Sequence, residues 1–112
     1  METRRVYVIW IHPLFYEAVR LLIDDPDIEL AGATSDYAAA HHQIMELNPD
    51  TIIVEQEEGE LSTNMLVFLK DSPLIDRIIG LNLTDNQLWL YQREKRMIGR
   101  AADLLQLIRG RQ

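Results

Sequence analysis

The segment Val6–Ile11 is a continuous apolar run, rich in β-branched and aromatic side chains. Such a run predicts a strand that is buried on both faces, as in a parallel sheet covered by helices. Pro13 follows it and favours the first turn of a helix. Apolar residues then recur at helical spacing at Leu14, Ala18, Leu21 and Leu22. This start predicts a buried strand followed by an amphipathic helix that packs on the sheet through this stripe.

The same alternation continues to about residue 83. Further strands are predicted at 28–33, 51–54 and 77–83, and further helices at about 36–47 and 63–70. Ser35 or Asp36 is suited to cap the first of these helices. Strands that alternate with helices imply a parallel sheet with right-handed crossover connections.

The last third of the chain departs from this rhythm. Leu88–Tyr91 and Arg96–Ile98 both have the composition of strands, and only Gln92–Lys95 lie between them, which predicts a hairpin. A final helix is expected over Ala101–Arg109. We therefore predict one domain, residues 1–112, with a doubly wound α/β sheet in the order 2-1-3-4-5, extended by an antiparallel edge strand.

Composition and charge exclude several classes of protein. The 112 residues include no cysteine, which rules out disulfides and thiolate metal sites. The longest apolar stretch, 6–15, is shorter than the ~18–20 residues of a membrane span, and no cleavage site of a signal peptide follows it. We therefore expect a cytoplasmic protein. The net charge of −7 argues against nonspecific binding to nucleic acid.

Three stretches together resemble the receiver domains of bacterial response regulators. Val6–Val19, which ends in His-Pro-Leu-Phe-Tyr-Glu-Ala-Val, is similar to the first strand and helix of receivers that read Asp-Asp-His-Pro-Leu-Phe-Arg-Glu-Gly-Leu there. Residues 26–32 and 48–55 resemble the second and third strands of that group. The resemblance extends from residue 5 to about residue 83 and implies a flavodoxin-like fold and a role in two-component signalling.

The resemblance also implies a phosphorylation site whose parts have all changed. Receivers accept a phosphoryl group on an aspartate, with Mg²⁺ held by an acidic pair. Trp10 and Ile11 stand at the acidic pair, and neither can ligate a hard cation. Glu55 stands at the phosphoacceptor, Asn82 stands at the switch hydroxyl, and the lysine of the family has no clear match. We therefore expect no metal site, no cofactor and no enzymatic activity.

These positions still allow more than one role. Glu55 has the charge to imitate a phosphoaspartate, but a single charge on a longer arm is a poor imitation. We favour a solvated carboxylate at the end of a strand. Trp10 and Ile11 are expected to fill the former ion site by apolar packing. The alternative is a small-ligand pocket lined by Trp10, Ile11, Glu55 and Asn82.

The hairpin is the candidate interface. Receivers carry a helix between their fourth and fifth strands, within their usual output surface, whereas only Thr84–Gln87 separate those strands here. Trp89 and Tyr91 share one face of the strand. That face is either half-exposed beside the core, or its aromatic side chains are anchors for a protein partner. Two roles are open for the basic residues Arg93, Lys95 and Arg96. They form a solvated sheet edge that prevents aggregation, or they bind an acidic surface such as that of a second copy. A homodimer through the hairpin is the resulting prediction.

We expect a degenerate receiver, or pseudo-receiver, that acts as a phosphorylation-independent protein-interaction module in bacterial signalling, with no effector domain after Gln112. The sequence does not identify the protein partner. Two alternatives remain open: a nucleic-acid-binding adaptor that uses the basic hairpin, and a small-ligand sensor at the former phosphorylation site.

Overall fold

The computed structural model describes residues 3–56, 75–91 and 95–99, together with Leu104 and Ile108. For Tyr37, Tyr91 and residues 95–99 it describes the backbone alone. The elements in chain order are β1 (Arg4–Ile9), α1 (Pro13–Leu22), β2 (Ile28–Thr34), α2 (Tyr37–Leu47), β3 (Thr51–Glu55), β4 (Arg77–Asn82), β5 (Gln87–Tyr91) and β6 (Lys95–Gly99). The helix expected at 63–70 lies outside the described residues.

Within the described residues, six strands form one sheet in the order β2-β1-β3-β4-β5-β6. The first four strands are parallel to one another. β5 runs antiparallel to β4, and β6 runs antiparallel to β5. This confirms the predicted α/β class and the order 2-1-3-4-5. It also shows that the antiparallel part begins at β5, so that β4, β5 and β6 are successive antiparallel neighbours in the sheet.

The two faces of the sheet have separate apolar cores. On one face, Val6 and Val8 of β1 pack with Phe15 and Val19 of α1. This cluster also includes the helical residues Leu104 and Ile108, in agreement with the final helix predicted there. On the other face, Tyr7 and Ile9 pack with Ala40 and Ile44 of α2. Successive residues of β1 therefore serve opposite cores, which is why the run is apolar throughout.

The predicted core stripe of α1 is wrong at Leu14 and Leu21, whereas Leu22 packs against the core as predicted. Phe15, Val19 and Ile23 face the sheet, whereas Leu14 is 82% exposed and Leu21 is 79% exposed. Both sets of residues have helical spacing, so periodicity alone does not decide which set the sheet covers. In the described part of the chain, no helix combines the length and hydropathy needed to cross a bilayer.

Local signals explain the ends of α2. Asp36 is the residue that caps the helix, because its Oδ1 accepts the N–H of Ala38 at 3.0 Å. The helix ends at Asn48, which adopts a left-handed conformation with φ 52°. After the cap at Asn48 the chain enters β3, and Glu55 lies at the carboxyl end of that strand.

Several strand boundaries differ from the predictions, and two of these differences concern candidate site residues. β1 ends at Ile9, so Trp10 and Ile11 lie beyond the strand. Lys95, expected in the turn of the hairpin, pairs with Tyr91 as the first residue of β6. Between β4 and β5, residues 83–86 form a tight turn in which Asn86 has φ 54°. This turn leaves no length for a helix between these two strands.

Gly32 of β2 lies close against two side chains of the core around α2, Tyr7 and Leu47. It pairs with Tyr7 just after a register shift in the β1–β2 ladder. A Cβ at position 32 would lie 3.0 Å from Leu47 Cδ1 and 3.1 Å from Tyr7 Cε1. The Tyr7 ring is fully buried, and its hydroxyl donates to Gln43 Oε1 at 2.6 Å, so the ring has little room to move.

We expect Gly32→Ala to lower the free energy of unfolding by about 1 kcal/mol, as overpacking of a core does. Urea denaturation followed by circular dichroism measures this loss. The double variant G32A/L47A should lose less stability than the losses of its two single variants added together, because alanine at position 47 leaves room for the new Cβ at position 32. Strict additivity would contradict the proposed contact.

Candidate functional site

The candidate site lies where the parallel strands end. Glu55 is the last residue of β3 and Asn82 is the last residue of β4, while Trp10 and Ile11 directly follow β1. β1 and β4 both pair with β3. Because the carboxyl ends of parallel strands meet at one edge, this edge is where α/β proteins of this type bind ligands. The four residues identified from the sequence therefore belong to one edge of the sheet.

The Glu55 carboxylate closes the loop between β1 and α1 onto β3. Its Oε1 accepts the backbone N–H of Ile11 at 2.6 Å and that of His12 at 2.9 Å. Its Oε2 lies 2.6 Å from His12 Nδ1. We call these three contacts the Glu55 clasp. Both carboxylate oxygens are thus occupied by groups of the chain itself.

The clasp corrects the expectation of a solvated glutamate. The side chain of Glu55 is only 11% exposed, whereas that of His12 is 59% exposed. Because β1 stops at Ile9, the next residues bend over the end of the neighbouring strand, and their amides point at Glu55. Hydrogen bonds to a charged acceptor are stronger than those between neutral groups. Glu55 is therefore a structural acceptor in this chain.

Trp10 and Ile11 behave differently from each other. Trp10 is partly buried against the core on the α1 side, and its ring stacks on Tyr16 with centroids 6.0 Å apart. The backbone N–H of Trp10 donates to the backbone carbonyl of Thr34 at 3.0 Å. Ile11 is 48% exposed, so the expectation that it fills the former ion site is wrong. The cause is the clasp, which uses the backbone of Ile11 and leaves its side chain toward solvent.

Asn82 stabilises the turn that follows β4. It is buried, its Oδ1 accepts the N–H of Asp85 at 3.0 Å, and its Nδ2 lies 3.4 Å from Asp85 Oδ2. An asparagine side chain of this kind holds a tight turn in place of backbone bonds. The residue that the sequence resemblance aligns with the switch hydroxyl of receivers thus supports the direct β4–β5 connection.

The candidate interface on the hairpin is only partly described. Trp89 is partly buried and packs against the core on the α2 side, while Leu88 and Leu90 lie in the opposite core with Leu104. This places Trp89 among the partly covered side chains of the sheet. Arg93 and the side chains of Tyr91, Lys95 and Arg96 lie outside the described residues, so their role stays a prediction.

His12 is the residue that sequence reasoning missed. Its position matches a histidine of the resembling receivers, and no role followed from that match. The sequence signal was a His-Pro pair after a strand together with a glutamate at the end of the neighbouring strand. Among the described residues, no group of three or more histidine and acidic side chains is arranged to hold a metal ion.

Comparison with known proteins supports the fold. No protein-family model matches the chain, and no curated protein matches it in sequence. A solved structure of the RcsB response regulator of Salmonella typhimurium, reported in the context of conformational dynamism for DNA interaction, is similar with a TM-score of 0.63. The identity is 17%, and the match covers 74% of this chain but only 44% of that one. The fold of this chain is therefore like that of a response regulator.

Proposed function

We propose that this chain is a pseudo-receiver, a receiver-like domain that acts as a protein-interaction module without phosphorylation and without enzymatic activity. The observation that carries the proposal is the Glu55 clasp. A phosphoacceptor must present a carboxylate oxygen to the donor, whereas both oxygens of Glu55 are occupied by the loop after β1. A transfer to Glu55 would first have to open these contacts.

The side chains of Trp10 and Ile11 support the same proposal. Phosphoryl transfer needs a cation to neutralise the developing charge, and Mg²⁺ is bound through oxygen ligands. The side chain of Trp10 stacks on Tyr16, and that of Ile11 is a half-exposed hydrocarbon. Neither side chain offers an oxygen atom. Of the two positions that would hold the cation in a receiver, that of Trp10 supplies packing here and that of Ile11 presents an exposed hydrocarbon.

The connection between β4 and β5 favours a different interaction surface from that of receivers. Asn82 pairs directly with Gln87, and the turn 83–86 joins the two strands. A helix in this connection would belong to the usual output surface of receivers, and the turn has no length for one. We propose that partners of this chain bind another surface, and the sequence-based choice of the hairpin remains one proposal for it.

The expected result with a small-molecule phosphodonor and Mg²⁺ is an unmodified protein. Intact-mass spectrometry of the full chain measures this, with an active receiver domain treated in parallel to show that the donor works. Stable phosphate mapped to Glu55 would overturn the proposal. Phosphate mapped to a surface histidine would leave Glu55 itself unphosphorylated, and this outcome would agree with the proposal for Glu55.

A further inference from the structure

β2 forms an open edge of the sheet. Among the described residues, it pairs with β1 on one side and has no strand on the other. The N–H of Arg4 in β1 donates to the carbonyl of Asp27 at 2.9 Å, and backbone groups alternate in direction along a strand, so Ile28 and Leu30 direct theirs away from β1. The N–H of Ile28 donates to the carbonyl of Asp25. Lysine and proline, which often block such edges, do not occur in β2.

A groove of about 250 Å³ lies beside this edge, between β2 and the end of α1. We call it the β2 groove, and its lining residues are Arg20, Ile23, Asp24, Asp25, Ile28 and Leu30. Its apolar part is the rim of the core on the α1 side, to which Ile23 belongs and against which Ile28 and Leu30 pack. A strand added to β2 would direct every second side chain toward this groove. Peptides bind to sheet edges in this way, through main-chain hydrogen bonds and a pocket for alternate side chains.

The charges around the β2 groove favour a basic side chain in it. Residues 24–29 include four carboxylates and no basic residue, and two of these carboxylates, Asp24 and Asp25, line the groove. The basic residue of the lining is Arg20, whose Nη1 lies 3.9 Å from Glu17 Oε2, so its charge is partly offset. A lysine or arginine side chain matches this lining, because its apolar stem covers the apolar floor while its cationic end reaches the carboxylates.

We propose that β2 and the β2 groove bind an extended, basic segment of a partner protein. The segment adds to the sheet as a further strand and places a lysine or arginine side chain in the groove. The strand edge and the groove make the site, and the carboxylates determine the charge of the segment that it binds. The inference rests on the interaction module proposed above, for which it names a surface and a kind of partner.

A register shift in β2 limits the strength of this contact. Val6 pairs with Leu30 and Tyr7 pairs with Gly32, so Ala31 is an extra residue that interrupts the regular edge. Strand addition is therefore expected at the start of β2, beside the groove. A contact of this size belongs to the transient class, and we expect a dissociation constant of roughly 0.1 mM for a short peptide.

The probe is a synthetic octapeptide in which lysine and valine alternate, with both ends blocked, titrated into the full chain and followed by NMR. Binding should shift the amide signals of β2 and slow the hydrogen exchange of the Leu30 amide, because this amide then donates to the peptide. The same peptide with glutamate in place of lysine should bind at least about tenfold more weakly. A lysine peptide that does not bind at about 1 mM, or that binds without protecting the Leu30 amide, would overturn the inference.

Asp24→Asn and Asp25→Asn test the charge of the groove. Asp25 Oδ1 accepts the N–H of Asp27 at 2.8 Å, and asparagine keeps an oxygen for this bond, so circular dichroism should be unchanged. Each variant should raise the dissociation constant of the lysine peptide about threefold, and the double variant D24N/D25N about tenfold. Glu46→Gln is the matched control, because it removes the same charge from an exposed side chain of α2.

The control variant should bind the lysine peptide as the unaltered chain does, and a loss equal to that of Asp24→Asn would overturn the inference. Protection of the Leu30 amide by self-association of the chain, with no peptide present, would overturn it in favour of a second copy. None of these outcomes alters the phosphodonor result, which tests the proposed function separately.

Discussion

Replacing Glu55 by alanine should lower the free energy of unfolding by about 2–4 kcal/mol, because it removes a carboxylate that accepts hydrogen bonds from two backbone amides and contacts His12. In a domain of this size the melting temperature should fall by roughly 10 °C or more. Thermal unfolding followed by circular dichroism gives the measurement. Hydrogen exchange of the Ile11 and His12 amides should accelerate by more than the global destabilisation requires, because both amides lose their acceptor.

The control for this experiment is the second glutamate–histidine pair of the chain. Glu46 Oε1 lies 2.6 Å from His42 Nε2, the same separation as in the clasp, but the two side chains are 64% and 78% exposed. Glu46→Ala should therefore change the stability by no more than about 0.5 kcal/mol, as is usual for pairs on a helix surface. Equal losses in the two variants would contradict the structural role of Glu55.

Glu55→Asp separates the length of the side chain from its charge. The clasp distances of 2.6 Å and 2.9 Å are reached with the full glutamate side chain. Aspartate is one methylene shorter, so its carboxylate should lose at least one of the two amides unless the loop moves. We expect most of the stability loss of the alanine variant. A fully stable aspartate variant would show that the loop adapts and that the glutamate is dispensable.

Trp10→Asp should lower the free energy of unfolding by about 2–4 kcal/mol, because it removes a partly buried aromatic side chain and leaves a charge in its place. The lost contacts include the stacking on Tyr16 and the packing against the core on the α1 side. Chemical denaturation monitored by circular dichroism measures the loss. The variant also places a carboxylate at a position that the sequence resemblance aligns with the acidic pair of receivers, so a destabilisation would show that packing is what this position supplies.

The neighbouring residue provides the matched comparison. Ile11→Asp is the corresponding acidic substitution one position later, at a side chain that is 48% exposed. Its cost should stay below about 1 kcal/mol, as for surface positions. If the two substitutions cost the same, the packing of Trp10 would not be what holds this position.

These predictions share one physical theme. Three positions that the sequence resemblance aligns with the phosphorylation site of receivers carry groups that stabilise the local structure here. Glu55 closes a loop, Trp10 fills space and Asn82 holds a turn. A site that binds a cation and transfers a phosphoryl group needs side-chain oxygens that are free to act as ligands. The side chains here are instead engaged in hydrogen bonds or packing within the protein. The stability of this edge should therefore not depend on Mg²⁺.

Much of the fold could be predicted because its signals are local. Val6–Trp10 alternates between two cores, so only a strand covered on both sides accommodates its apolar side chains. Asp36 and Asn48 mark the ends of α2 through hydrogen bonding and backbone preference, which act over a few residues. The short link after Asn82 excluded a helix between β4 and β5 by its length alone.

Only the tertiary structure decided how the candidate site is used. Glu55 and His12 are 43 residues apart, and no local pattern reports that β1 stops early enough for the loop to bend over β3. The same holds for α1, in which two apolar stripes have helical spacing and the sheet covers only one. Local propensity determines which elements form, whereas the position of each element on the sheet determines which side chains meet. That is why the sequence by itself predicted the strands and the residues at their carboxyl ends, while the clasp and the exposed face of α1 required the packed fold.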